Sequence, residues 1–449
     1  MKREIEASLH RWKDRGAKKA LLVDGARQVG KTYTVRQFGR EAFTSYIEIN
    51  FLENEEARSL FTTARNSREL LLYISAVANA KLIPGETLVF FDEVQECPEI
   101  VTNIKFLVEE GSYAFILSGS LLGIGLKQIR SVPVGYMEEI TMYPMTFREF
   151  ALATGVQEDV LGEVEACFLQ RRGVPELIHD RLLGLFHLYL VVGGMPEAVQ
   201  TYIDTNDLQR VIETQNYITG LNKRDISKYD PAHKLYIEDI YDRIPAELAA
   251  QNKRFEANVI KYGIKFDRVE NGFLWLTEAG VAIAAFCANE PKYPLLLSKA
   301  RNQLKLFLGD AGLLTSMYAG NMQIKILRKD VDINYGGIYE NAVAQALYAN
   351  RVATYYYRNN RIGEIDFLCE IDGHAIPVEV KSGKSYKIHS ALNHLLEAPG
   401  LDIPYACIFS NQNVSVEGRK VYLPVYMIMY LKNTEQQHMI YPPNLDGLR

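Results

Sequence analysis

Residues 20–24, Ala-Leu-Leu-Val-Asp, run directly into Gly25-Ala26-Arg27-Gln28-Val29-Gly30-Lys31-Thr32. A short apolar run halted by glycine reads as a buried strand, and the Tyr-Thr-Val-Arg-Gln-Phe-Gly-Arg that follows reads as the start of a helix. G-x-x-x-x-G-K-T between a strand and a helix is the P-loop pattern. The chemistry explains the residue types. Gly25 and Gly30 allow the backbone to curl so that the N–H groups of Gly25 to Thr32, with Ala26, Arg27, Gln28 and Val29 between, face phosphate oxygens. The helix N-terminus adds partial positive charge at the same point. Lys31 is expected to reach the β- and γ-phosphates, and the Thr32 hydroxyl to ligate Mg²⁺. The cofactors this predicts are ATP and Mg²⁺.

A second segment agrees with it. Leu88-Val89-Phe90-Phe91 is continuously apolar, as a central parallel strand buried on both faces would be, and it ends in Asp92-Glu93. An acid at that strand end suits the Mg²⁺ shell, which assigns Asp92. Its neighbour Glu93 is placed to polarise an attacking water. Tyr113 to Leu117 predicts another strand ending at Ser118, expected between the P-loop and the acidic pair. Ser118 reads either as a phosphate or water sensor or as a helix N-cap. Thr44 to Phe51 and Tyr136 to Met145 complete an alternating pattern. The fold class expected is α/β, a parallel sheet with crossover helices and its ligands at the strand C-termini.

Composition sets outer limits. The 449 residues, 48% hydrophobic and 23% charged, exclude disorder and a disulfide scaffold. About three domains are expected at this length. A net charge of −5 shows no global basic excess. No segment has the length and apolarity of a membrane helix, and the charged N-terminus lacks the apolar core of a signal peptide. Cys97, Cys167, Cys287, Cys369 and Cys407 are scattered, as buried reduced thiols would be. The expected setting is cytoplasmic, without a membrane partner.

GARQVGKT, LVFFDEVQ, FILSGS and YPMTFREF together, with Val191 to Val199 and Leu306 to Met317, resemble a prokaryotic AAA-type ATPase family. Members carry a C-terminal domain of unknown function related to restriction-endonuclease-like nucleases. The resemblance implies an AAA-type P-loop domain over 1–150, a helical and winged-helix region over 151–300 and a nuclease-like α/β domain over 301–449. Family members often have an arginine after the glycine of the PVG segment. Here that position is Tyr136, and Arg130 is the nearest upstream substitute.

In the middle region helical spacing dominates from Ala151 to Ala250. Gly193-Gly194-Met195-Pro196 interrupts it, read as a tight helix–helix connection in preference to a hinge. From Arg254 to Ala284 the pattern predicts a winged helix with a turn at Glu270-Asn271-Gly272. Lys253, Arg254, Lys261, Lys265 and Arg268 make this stretch basic, whereas Glu86 to Glu110 is acidic. A basic winged helix is compatible with contact to nucleic-acid phosphates, with a protein docking module or with an internal packing unit. Lys299, Arg301 and Lys305 extend the tract and read as a solvated face.

In the last third, Gly337 to Asn350 predicts a helix carrying Glu340, and Thr354 to Tyr357 a strand. Glu364 to Leu368 and Ala375 to Lys381 predict a hairpin turning at Asp372-Gly373. Period 2 puts Glu379 and Lys381 on one face. Pairing residue 366 with 379 about the turn sets Asp366 beside Glu379, and adjacent carboxylates call for a divalent cation. This pattern resembles the PD-(D/E)XK nuclease core. The resemblance implies Asp366, Glu379 and Lys381 as catalytic residues and Glu340 as an auxiliary metal ligand beside Asp366 and Glu379. Arg358, Arg361, Lys384 and Lys387 would suit a phosphate backbone. The function expected is an Mg²⁺-dependent ATPase coupled to a domain that binds or cleaves nucleic acid, DNA above RNA, with a homo-oligomer or protein partner also compatible. The alternative is a nucleotide-switched DNA- or protein-binding module with an inactive nuclease fold.

Overall fold

The computed structural model describes residues 1–434 apart from 65, 120–134, 230–233, 257–259, 261–265, 319–321, 329–334 and 384–385. Arg130, Lys261, Lys265 and Lys384 lie outside the described residues, as does most of the helix expected at 255–263.

The first sheet contains β1 (Ala20–Asp24), β2 (Ser45–Asn50), β3 (Thr87–Asp92), β4 (Ala114–Ser118) and β5 (Met137–Thr141) in the order β2-β3-β4-β1-β5. All its pairings are parallel. Every residue of β3 and β4 is buried, which is why both sequences are continuously apolar. Phe51, Phe61, Phe91 and Phe115 form a ladder of rings on one face. The order sets β4 between the P-loop strand and the acidic strand, so the C-termini of β1, β4 and β3 converge on one edge.

A helical layer follows: Phe147–Ala153, Glu158–Gln170, Glu176–Val192, Pro196–Thr205, Leu208–Tyr229 and Lys234–Ala249. Thr146 and Glu149 form a capping box that starts it. The Gly193-Gly194 break is a packed joint. A Cβ on Gly194 would stand 2.1 Å from Met145 O, and one on Gly193 2.2 Å from Asp310 Oδ1.

The second sheet is mixed, in the order β12-β13-β11-β10-β9-β8-β6-β7. Its strands are β6 (Ala282–Ala288), β7 (Lys299–Leu308), β8 (Thr354–Asn359), β9 (Gly363–Ile371), β10 (His374–Val380), β11 (Ala406–Ser410), β12 (Ser415–Glu417) and β13 (Lys420–Pro424). Two expectations change here. Glu270-Asn271-Gly272 is no turn but the first turn of helix Glu270–Glu278, where Gly272 passes close to Ile237 and Ile240. The strands after it do not close a separate winged unit. β6 pairs with β8 in parallel and carries β7 into the C-terminal sheet, so a boundary at 300/301 falls inside β7. One apolar core runs from Met145 through the helices to Leu431, joining the middle and the end of the chain.

Among the described residues no single helix is long and apolar enough to cross a membrane. All five cysteines are free and buried.

Candidate functional site

The loop between β1 and helix Lys31–Ala42 is held in shape by backbone that side chains cannot enter. Gly25 has φ +138°, and a Cβ there would lie 2.1 Å from Met142 O. Gly30 has φ +95° and caps the helix, while Gln28 tolerates φ +62°. Val29 is buried beneath the loop, Ala26 abuts Gly280, and Arg3 donates to Val29 O at 2.7 Å. Arg3 is itself fixed by Glu149 at 3.0 Å and by Tyr143 O at 2.7 Å.

Lys31 is buried, and its Nζ donates to Gly25 O at 2.8 Å and Ala26 O at 2.7 Å. Burial pushes its pKa down to about 8, against the pull of Asp24, Glu93 and Asp92, and the Arg27 charge lowers it further. Thr32 donates to Asp92 Oδ2 at 2.9 Å and Asn50 Nδ2 to the same oxygen at 3.2 Å, while Ser118 donates to Oδ1. Burial raises the Asp92 pKa, and the hydroxyls of Ser118 and Thr32 work against that rise. A hydroxyl and a carboxylate at hydrogen-bond distance form an oxygen donor set of the kind Mg²⁺ takes, so these residues fit the ion. Ser118 thus meets the acid, and the residues it would cap as a helix start lie outside the described ones. Glu93 follows at φ +55° and accepts from Gln95. A cavity of about 510 Å³ is lined by Arg27, Gly30, Lys31, Thr32, Glu93 and Pro196 among others. The sequence reading missed Asn50, Arg3 and Pro196. Only Asn50, at a strand end beside Asp92, carried a signal that could have found it.

Tyr136 is remote from this cavity. It precedes β5, its carbonyl accepts from Ala20 N, and its hydroxyl donates to Glu109 at 2.5 Å. Ala20 begins β1 and Gly25 follows its end, so Tyr136 lies at the opposite sheet edge.

At the C-terminal constellation the register is as expected. Val378 pairs with Phe367, which sets Glu379 opposite Asp366, and Val380 N donates to Asp366 Oδ2 at 2.9 Å. Glu340 projects from helix Gly336–Ala349 and is buried. The expected metal grouping of Glu340, Asp366 and Glu379 is not what forms. Among the described residues no set of three His, Cys, Asp or Glu side chains is arranged to hold a metal ion. Lysines take up the charge instead. Lys381 Nζ lies 2.6 Å from Glu379, Lys253 donates to Glu340, and Lys305 Nζ lies 2.8 Å from Glu364 and 3.8 Å from Glu340. Burial, then the Asp366 charge, pushes the Glu379 pKa up to about 8, despite Lys381. Lys305, read as part of a solvated face, is fully buried. Within the basic tract Lys253 pairs with Glu340, and Arg301 with Glu270 through two contacts of 2.7 Å. Arg358 and Arg361 are exposed, and Lys387 pairs with Glu417 at 2.6 Å.

A parallel sheet in this strand order with a P-loop and an acidic strand end defines a P-loop nucleotide-binding fold. The family described as AAA domain matches residues 17–151, so this part of the chain is an AAA domain, the ATPase class that the first sheet and its loop describe. Residues 183–324 and 335–428 match two further families, each described as a domain of unknown function, DUF8612 and DUF4143. No curated protein matches the chain. Similar solved structures include Drosophila ORC bound to DNA, at 13% identity and TM-score 0.28, covering 74% of this chain and 96% of that one. The Thermotoga maritima RuvB Holliday junction branch migration motor has 13% identity and TM-score 0.28, covering 67% and 89%. C. elegans PCH-2 has 13% identity and TM-score 0.22, and the chain covers 35% of its own length and 45% of that protein's.

Proposed function

We propose that the protein is an Mg²⁺-dependent ATPase whose nucleotide site governs a contact made by the rest of the chain. The observation that carries the reading is the Thr32–Asp92–Ser118 cluster beside Lys31 at the convergent strand ends. Thr32 and Asp92 would hold Mg²⁺, which when bound offsets charge on the β- and γ-phosphates. The loop N–H groups and Lys31 bind and orient phosphate. Glu93 takes a proton from the water that attacks the terminal phosphate, giving ADP and inorganic phosphate.

For the C-terminal half the alternative reading is favoured, a binding module rather than a nuclease. The lysines on Glu340, Glu364 and Glu379 supply the positive charge that a cation would otherwise bring. Exposed Arg358 and Arg361 leave nucleic acid as the partner whose charge fits.

The test is steady-state ATPase and nucleotide binding on the full chain. Lys31→Ala should lose nucleotide binding, and Glu93→Gln should bind and not turn over. An Lys31→Ala protein that hydrolyses ATP like the parent refutes the reading. Stimulation of turnover by DNA would join the halves, and metal-dependent DNA cleavage lost in Lys381→Ala would restore the nuclease.

A further inference from the structure

β3 ends at Asp92, and Glu93 turns the chain. It takes φ +55° and ψ +46°, in the left-handed region, and opens a single 3₁₀ turn over Val94–Glu96. Glycine would sit there freely and a side chain does not, so the position keeps its carboxylate against a local cost. The turn is firmly held. Glu96 N donates to Glu93 O at 3.0 Å and Cys97 N to Val94 O at 3.1 Å, with Val94 and Cys97 buried in the core of the first sheet.

That turn brings Gln95 back onto Glu93. Gln95 Nε2 donates to Glu93 Oε2, an amide N–H on a carboxylate and so a charge-assisted bond. Among the described residues Glu93 lines the nucleotide cavity and Gln95 does not, so the amide holds the carboxylate from outside the space a nucleotide would fill. Gln95 Oε1 is buried and has no hydrogen-bond partner among the described residues. A leucine would fill the same volume without that orphan acceptor, so the glutamine is placed for its donor and not for packing. Asp92 is pinned separately, by Thr32, Asn50 and Ser118.

We infer that Gln95 is the positioning residue of the general base: its N–H fixes one carboxylate oxygen of Glu93 so that the other is presented to the attacking water, an inference that rests on the ATPase reading above. In that step the water gives a proton to Glu93 while its oxygen bonds to the γ-phosphorus, and the bond from that phosphorus to the ADP oxygen breaks. A freely rotating carboxylate loses the line for proton transfer, and one pinned at a single oxygen keeps it. Loss of Gln95 leaves the donors on Asp92 and the phosphate loop in place, so it acts on turnover and not on nucleotide affinity.

The experiment measures kcat, KM and nucleotide Kd on the full chain with Mg·ATP, together with the melting temperature of each variant. Gln95→Leu should lower kcat about 30-fold, change Kd less than about twofold and leave the melting temperature at or above that of the parent. In a Glu93→Asp background, whose shorter side chain draws its oxygens off the amide, Gln95→Leu should cost less than about twofold more. An unchanged kcat in Gln95→Leu would overturn the inference. So would a raised kcat, which would make the amide a restraint on the base, or the full loss on top of Glu93→Asp. A fall in kcat that came with weaker binding and a lower melting temperature would mean a merely structural role and overturn it too. All of these leave the ATPase reading standing beside a dead Lys31→Ala. Turnover by Lys31→Ala would bring down that reading and the inference with it.

Discussion

Among the described residues, Lys31 and Lys305 are the lysines taken out of water, at 8% and 0% exposure, one in each half of the molecule. Burial has opposite consequences for them. Lys31 rests on two backbone carbonyls and its pKa falls to about 8, burial being the leading cause. Burial works against the Lys305 charge as well, but Glu340, Asp366 and Glu364 together overcome it and hold its pKa above that of an ordinary lysine. Its Nζ also stands 5.2 Å from the centre of the Tyr356 ring. A buried cation that is uncomfortable as it stands is poised for an anion, as a phosphate-binding lysine must be. A buried cation whose charge is offset by nearby carboxylates is part of the framework, and removing it leaves charges with less to compensate them. The two halves look alike as motifs, acids and a lysine at strand ends, yet the buried lysine faces backbone carbonyls in the first and carboxylates in the second.

The sharpest way to break this comparison is to delete each charge. Lys305→Met should lower stability by about 3–5 kcal/mol, because Glu340 and Glu364 lose a buried partner. Adding Glu340→Gln should recover part of that loss. Lys31→Met should leave stability unchanged or slightly higher, while abolishing nucleotide binding. Denaturation midpoints of the variants decide it, and equal losses at the two positions would erase the distinction.

A smaller effect is expected where the halves are joined. Asp310 is buried, accepts from Gly194 N at 2.6 Å and Leu313 N at 3.0 Å, and meets Gln345 Nε2 at 3.4 Å. Gln345 shares its helix with Glu340, and Gly194 leads into Pro196 at the nucleotide cavity. Asp310→Ala leaves two buried N–H groups without their acceptor, a cost of about 1–3 kcal/mol. A loss below that range, seen by thermal unfolding, would mean that the joint does not tie the two regions together.

What the sequence disclosed followed how local each signal was. The P-loop, Asp92 and Ser118 lie at the ends of short apolar runs, and parallel-sheet geometry brings such ends together, so the place of β4 between β1 and β3 was legible. The Asp366–Glu379 register was legible because a two-residue turn fixes pairing by counting. The surroundings of those carboxylates were not. Lys305 comes from β7, some sixty residues upstream of Asp366, and nothing in Lys299-Ala300-Arg301-Asn302-Gln303-Leu304-Lys305 marks the last lysine as buried. The joining of β6 and β7 to the C-terminal sheet was hidden for a related reason. A helix followed by an apolar strand has the same local pattern whether it closes its own unit or extends a distant sheet. The 2.7 Å ion pair between Arg27 and Asp225 had no local signal either, since the two residues are some two hundred positions apart.

Proton linkage separates the two lysines again. Lys31 has a folded-state pKa of about 8, below the ordinary value of 10.5. Phosphate needs the charged form, so ATP affinity should be flat below pH 8 and fall about tenfold per unit above it. Stability should move the other way: the unfolded chain holds that proton to higher pH, so the folded state gains between pH 8 and 10.5. Lys305, shifted upward, contributes stability present below 10.5 and lost only as pH rises through its higher folded value. Titration calorimetry of nucleotide from pH 7 to 9.5 should show the fall, and Lys31→Arg should remove it.

The smallest effect should come from Arg301, four residues from Lys305 on the same strand. It makes two contacts of 2.7 Å with Glu270, better geometry than Lys305 has with Glu340, yet its side chain is 76% exposed. Water already solvates the guanidinium there, so little is gained by pairing and little is lost by removal. Arg301→Ala should move the melting temperature by about one degree or less. If Arg301→Ala cost as much as Lys305→Met, contact geometry rather than desolvation would set the worth of these pairs, and the contrast between Lys31 and Lys305 would lose its physical basis.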